Sequence, residues 1–335
     1  MVGDSMRAVI CDDWCDYDDL RLGEADLPDL PAGGVRIGIS HTGVSFATTL
    51  VVAGKYQRKP PLPFVPGTEI SGTVLECGAG ISRCKPGDRV LAAIDWGGYA
   101  EQTVAREANV QVIPHGLPLD AAIPLCISYP TSYGGLIWRG GLADGETLLV
   151  HGAAGGVGLA AVEIGLAMGA RVIAVANGDE KQQVLRQRGA HHVIETEGFR
   201  EQVEEITDGA GIDMVYDPVG AAVSRPSISC LRPGGRLVTI GYAGGEIPSI
   251  GFNVLLVKNV SVMGFNWGEY VGWGPVDRRD EFAEPVSAMM AQLFDWWQDG
   301  KVSPTVHATF DLGDFREAMR EVRQRRAIGR VLLTP

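Results

Sequence analysis

In the run "LLVHGAAGGVGLAAVEIG", small residues recur at a spacing suited to holding phosphate. The pattern G-x-G-x-x-G maps onto Ala153, Gly155 and Gly158, with alanine in the first place. Ala154, Gly156 and Val157 complete the turn. A missing side chain at Gly155 lets a pyrophosphate approach the backbone, and one at Gly158 lets a helix pack closely on a strand. A helix beginning there also offers free N–H groups and the positive end of its dipole. Such turns arise for packing alone as well. Here, however, an apolar strand (Leu148–Val150) precedes, a helical run follows, and a second apolar strand (Val172–Ala176) lies beyond it. That context is the one a dinucleotide site requires.

The tip of the second strand selects the coenzyme. An NAD site places Asp or Glu there, to bind the ribose 2′-hydroxyl. This chain has Asn177 and Gly178, with Lys181 a helical turn later. Small polar groups beside a cation suit a 2′-phosphate, so NADP(H) is expected rather than NAD(H). Asp179 and Glu180 argue the other way, and an ordinary surface lysine is the competing reading of Lys181.

These residues need a scaffold. The chain has 335 residues, more than one hydrophobic core usually takes, so two domains are expected. Residues 7–120 read as mostly β. Val35, Ile37 and Ile39 alternate on one strand face, and Glu69–Gly78 and Tyr99–Ala105 behave similarly. A helix is expected over Phe46–Ala53, closed by Gly54. From about residue 121 strands alternate with helices. The further strand candidates are Val193–Ile194, Met214–Tyr216, Leu237–Ile240 and Val260–Met263. In the helix after the glycine turn, Val157, Ala161, Ile164 and Met168 share one face. This rhythm predicts a doubly wound parallel sheet. Helical stretches near Phe282–Asp299 and Leu312–Gln324 follow, and the strand-like tail "RVLLTP" is of the kind that returns to complete a first domain.

Composition narrows the function classes. The formal net charge is −12, with scattered Lys and Arg, which argues against a nucleic-acid surface or an anionic membrane partner. No apolar stretch is long enough to span a bilayer. The first residues lack a signal-peptide core, and Met1–Ser5 reads as an upstream start or a cloning scar. The six cysteines do not form a disulfide framework, and a reducing cytoplasm fits them best.

"HGAAGGVG", "PFVPGTEISG", "KPGDRV" and "GGYAE" together resemble the medium-chain dehydrogenase/reductase superfamily, over nearly all of Met6–Pro335. The resemblance implies an α/β chain in two parts. One is a GroES-like domain over 1–120, completed by 270–335; the other is a Rossmann domain over 121–269. It also implies a cleft shared by cofactor and substrate. Many members hold a catalytic zinc. Their ligand positions fall here on Ser45, Thr68 and Ile127, and the four-cysteine lobe for structural zinc is absent. Zinc needs converging thiolate or imidazole ligands, so no metal is expected. The sequence is most similar to the zinc-free quinone oxidoreductase branch, which includes zeta-crystallin and uses NADPH.

The resemblance assigns further residues. Tyr56 is similar to a tyrosine that faces the cleft and can donate to an enolate-like oxygen. Packing beneath a loop is its other reading. Ser45 stands where that branch has an asparagine near the nicotinamide. Thr131 falls beside the cofactor, or else is a helix cap. Gly241, Tyr242, Phe265 and Asn266 follow strand ends and border the nicotinamide. Arg325 lies near the cofactor, with Arg326 an equal candidate. Asp217 is either at the ligand side of a strand or a structural cap. The implied activity is NADPH-dependent hydride transfer to a quinone or conjugated enone. A 2-alkenal or enoyl-thioester reductase is the alternative, for which Lys55, Arg58 and Lys59 would form a basic rim. A crystallin-like structural or regulatory NADPH-binding protein is a third reading. A homodimer is implied by analogy, through the edge strand Val260–Gly264.

Overall fold

In the computed structural model, residues 5–335 are described; the leader reading falls chiefly on Met1–Asp4, outside them. The backbone separates into two compact units. The first holds the described residues up to Ile127, with Gly268–Phe294 and Pro304–Pro335. The second holds Ser128–Trp267 and Asp295–Ser303. The crossover thus falls seven residues after the boundary expected at 120, and 295–303 joins the second unit.

The first unit is built on a seven-stranded sheet. Its long strand Gly34–Val44 pairs with Glu69–Cys77, with Gln102–Arg106 and with the C-terminal strand Arg330–Thr334. The tail therefore returns to the first sheet, Val331 lying opposite Val44. The alternation read from Val35, Ile37 and Ile39 is real: all three are buried, in a cluster with Ile70, Val74 and Val90. Each such side chain stabilises the unit by roughly 1.5–3 kcal/mol relative to exposure. The strand expected over Tyr99–Ala105 forms over Gln102–Arg106. The short helix Phe46–Val52 ends where expected, with Gly54 at φ +63°.

The second unit holds six parallel strands. Their spatial order is His192–Ile194, Arg171–Val175, Thr147–Val150, Ile212–Asp217, Leu231–Thr239, Ser261–Gly264. In sequence terms that is 3-2-1-4-5-6, the doubly wound Rossmann order, with its switch point beside the central strand Thr147–Val150. The helix after the glycine turn, Gly156–Ala167, corrects the expectation of a single buried face. Every residue from Gly158 to Gly165 is buried, as in a helix apolar all round. Glu163 in its middle tolerates this because its oxygens are satisfied. It accepts from the Tyr129 hydroxyl at 2.6 Å, the Ser303 N–H at 2.8 Å and Arg188 at 2.7 Å. Burial pushes its carboxyl up.

Candidate functional site

The glycine turn does its work through three positions. Gly152, immediately before the pattern Ala153, Gly155 and Gly158, adopts φ +55°, a left-handed conformation that favours glycine. Gly155 accepts the helix's opening bond, from Leu159 N–H at 2.8 Å, and caps the helix without a side chain. Gly158 faces the Gly152 carbonyl so closely that a β-carbon would collide with it. Ala153 and Ala154 are buried, and the Ala153 N–H bonds to Val175 on the neighbouring strand. The outcome is an uncluttered helix N-terminus at Gly156 and Val157, held against the end of the central strand. These residues fit a pyrophosphate.

Asn177 ends the second strand, exposed, and its Oδ1 accepts from the Thr196 N–H at 2.9 Å. With that oxygen engaged, the amide's remaining function is its NH2 donor. Gly178 follows at φ +91° and starts the helix Asp179–Gln187. Lys181 sits in that helix's first turn, together with Asp179 and Glu180.

The other expected cofactor residues scatter in character. Gly241 and the 40 % exposed Tyr242 belong to a loop bonded back onto Pro218 and Val219. The Tyr242 ring occupies the space a side chain at Gly220 would need. Phe265 is buried against Gly134, while Asn266 is exposed. Thr131 is buried in the last turn of the helix Pro124–Tyr133, so the cap reading of it is set aside. Asp217, by contrast, is a cap: Oδ1 accepts from the N–H groups of Val219 and Gly220, and Oδ2 from Ser224 at 2.5 Å. His151 is fully buried, with Nε2 2.7 Å from Ser227 Oγ and its ring edge-on to Phe199. Burial pushes its pKa down to about 4. In the first unit, Arg325 ends a helix at φ +54°, exposed. Arg326 pairs with Glu321 at 2.7 Å.

Within the first unit a cavity open to solvent collects the remaining expected residues. Tyr56, Ser45, Thr48 and Thr68 line it, with Phe64, Trp96 and Trp273. Most of its wall is apolar and aromatic, as a flat uncharged ligand would need. Burial pushes the Tyr56 phenol up, keeping it a neutral donor. Ser45 Oγ lies 3.3 Å from Thr48 Oγ1. The sequence reading missed Asp95, which lines the same wall and takes Arg58 and Arg279, each at 2.9 Å. Only the contrast of one aspartate beside tryptophan in "AAIDWGG" hinted at it.

Ser45 and Thr68, at the positions where zinc-dependent relatives place ligands, bring hydroxyls and no thiolate or imidazole to this wall. Among the described residues no three His, Cys, Asp or Glu side chains converge as a metal-binding group. Burial pushes the Cys126 thiol up, away from thiolate. This donor set does not fit a catalytic zinc.

Comparison with known proteins agrees with this architecture. Residues 156–291 match the zinc-binding dehydrogenase family and residues 31–115 the GroES-like domain of alcohol dehydrogenase. The chain is 38 % identical to quinone oxidoreductase-like protein 2 of Rattus norvegicus, over 98 % of this chain and 92 % of that one. A mycobacterial protein solved in complex with NADPH superposes with a TM-score of 0.90 at 28 % identity, covering 98 % of this chain and all of the other. A quinone oxidoreductase of Pseudomonas syringae pv. Tomato superposes at 0.89 with 27 % identity, over 98 % of this chain and 100 % of that one. Fold and matches together define an oxidoreductase of the medium-chain dehydrogenase/reductase class. Within that class the chain belongs to the quinone oxidoreductase-like family.

Proposed function

We propose that this protein reduces quinones or conjugated enones with NADPH, without zinc. The carrying observation is the turn at Gly152, Gly155 and Gly158, an open helix N-terminus, followed by a second strand whose end leads into Asn177 and Gly178 rather than a carboxylate, ahead of the helix that carries Asp179, Glu180 and Lys181. The mycobacterial relative solved with NADPH supports the choice of coenzyme. Bound NADPH would supply a hydride. Ala153, Ala154, Gly155, Gly156, Val157 and Gly158 would hold its pyrophosphate, and Asn177, Gly178 and Lys181 its 2′-phosphate. Thr131, Gly241, Tyr242, Phe265, Asn266 and Arg325 are the further residues assigned to it. The aromatic cavity would take the acceptor. Tyr56 would donate a hydrogen bond to the acceptor oxygen, and Ser45, tied to Thr48, would shape the wall beside it.

The enoyl-thioester alternative draws on a basic rim. Lys55 and Lys59 are exposed and keep it open, but Arg58 is bound to Asp95. A homodimer is part of the proposal. The strand Ser261–Gly264 ends the sheet order, and the neighbouring helix Phe252–Lys258 exposes Phe252, Leu256 and Val257. An open edge beside apolar surface is what pairing across a two-fold axis covers. Cytoplasmic residence is likewise proposed, and the six free cysteines suit a reducing compartment. No helix among the described residues is long and apolar enough to cross a membrane. Purified protein with NADPH, a quinone, an enal and an enoyl-CoA tests the reading. NADPH oxidation is expected with the quinone; turnover of the enal or enoyl-CoA in its place would favour the alternative, and binding of NADPH without turnover of any acceptor would favour the structural protein.

A further inference from the structure

Arg58 is the single cation among the residues lining the apolar cavity, and it is held from three directions. Its Nη2 lies 2.9 Å from Asp95 Oδ1 as an ion pair, its Nη1 donates to the Asp95 carbonyl at 3.5 Å, and its guanidinium lies 5.0 Å from the Trp96 ring centroid. Asp95 does not belong to Arg58 alone. The same Oδ1 accepts from Arg279 at 2.9 Å, and Arg279, whose side chain is 4 % exposed, also reaches Asp277. Asp277 gives Arg279 a second carboxylate, so Asp95 and Asp277 together face the two guanidinium groups. Stacking and pairing fix the plane of Arg58 before any ligand arrives. A fixed cation in a low-dielectric wall stabilises charge that develops nearby at little cost in reorganisation.

We propose that Arg58, positioned by Asp95 and Trp96, holds the acceptor oxygen on which negative charge collects. This rests on the reduction proposed above. In that reaction a quinone takes a hydride at a ring carbon, its π pair moves to the carbonyl oxygen, a proton shifts from that carbon to the second oxygen, and one proton from solvent completes the hydroquinone. The hydride carries both electrons, so NADPH leaves as NADP⁺ and no further oxidant is needed. A guanidinium does not give up its proton in proteins. It therefore serves an acceptor whose reduced form is stable as a phenolate-type anion, which a hydroquinone is.

The experiment uses 4-nitrophenol as a probe of the product state, with the visible absorbance of its anion followed against pH at saturating protein. Bound to the wild type, its pKa is expected to fall by about 1–3 units, the effect of an opposite charge within a few ångström. Arg58→Met should abolish that fall and Arg58→Lys should restore part of it. Asp95 keeps Arg279 as its partner in these variants, and circular dichroism checks that they fold. Equal shifts in wild type and Arg58→Met, or a probe that does not bind or binds with its pKa unchanged, overturn the proposal. Turnover of a quinone and an enal by the wild type is measured alongside. If neither is reduced, the parent reading fails, while the titration still decides the role of Arg58.

Discussion

Arg279 donates to Asp95 at 2.9 Å across 184 positions of sequence, tying the segment after residue 268 to the wall of the cavity. Removing the carboxylate leaves Arg279 buried beside Arg58, with only Asp277 to balance it. Asp95 is 31 % exposed, so solvent screens part of the loss. Asp95→Ala should cost about 1–3 kcal/mol, below the range for a fully buried pair. It should also weaken acceptor binding, because Arg58 loses its anchor. Urea unfolding measures the first and KM for a quinone the second; an unchanged midpoint and KM would mean the pair is ornamental.

Gly155 and Gly158 separate binding from folding. A β-carbon at Gly155 meets only the Gly152 carbonyl, at an ordinary 3.4 Å, so Gly155→Ala should fold normally. Its methyl would occupy the pyrophosphate's approach, and the NADPH Kd should rise about tenfold or more. Gly158→Ala forces backbone against backbone and should destabilise by about 1–3 kcal/mol. Calorimetry and thermal melts on the two variants test the contrast; identical behaviour of both would show that the turn is only a packing device.

His151 makes stability depend on pH. Its ring is neutral in the fold, with the pKa lowered from 6.5 to about 4 by burial. The contribution is present in full above pH 6.5. As pH falls from 6.5 to 4 the unfolded chain takes up a proton that the folded chain refuses, and stability drops; below 4 the effect is complete. The total is about 3 kcal/mol. His151→Asn should flatten the unfolding free energy over that window, and a slope as steep as the wild type's would assign it to other groups.

Lys181 should discriminate between coenzymes. Lys181→Ala is expected to raise KM for NADPH roughly tenfold, a charge-assisted contact's worth, and to leave NADH nearly unchanged. Equal effects on both coenzymes would place the lysine's role in the helix itself.

Periodicity made the fold legible. Alternating Val35, Ile37 and Ile39, and the strand–helix rhythm after residue 121, correspond to the two sheets, because burial imposes those periods directly. The pattern of the glycine turn was legible in sequence, but the left-handed residue that precedes it was not. Sequence records a missing side chain but not the sign of φ, which singles out Gly152. Thr131 resembles a cap in sequence for a different reason, since Pro130 looks like a helix boundary yet lies inside the helix Pro124–Tyr133. Asp95 with Arg58 and Arg279, and Glu163 with Tyr129 and Arg188, had no local signature. They are contacts between residues distant in the chain, and only the tertiary fold brings their charges together.

Steady-state oxidation of NADPH by a quinone, with and without a strong zinc chelator and with NADH in parallel, tests the central claim most directly. The account predicts turnover that the chelator leaves intact and that favours NADPH over NADH. Activity that disappears with chelation and returns with zinc, or no oxidation of NADPH by any quinone or enone, would contradict it.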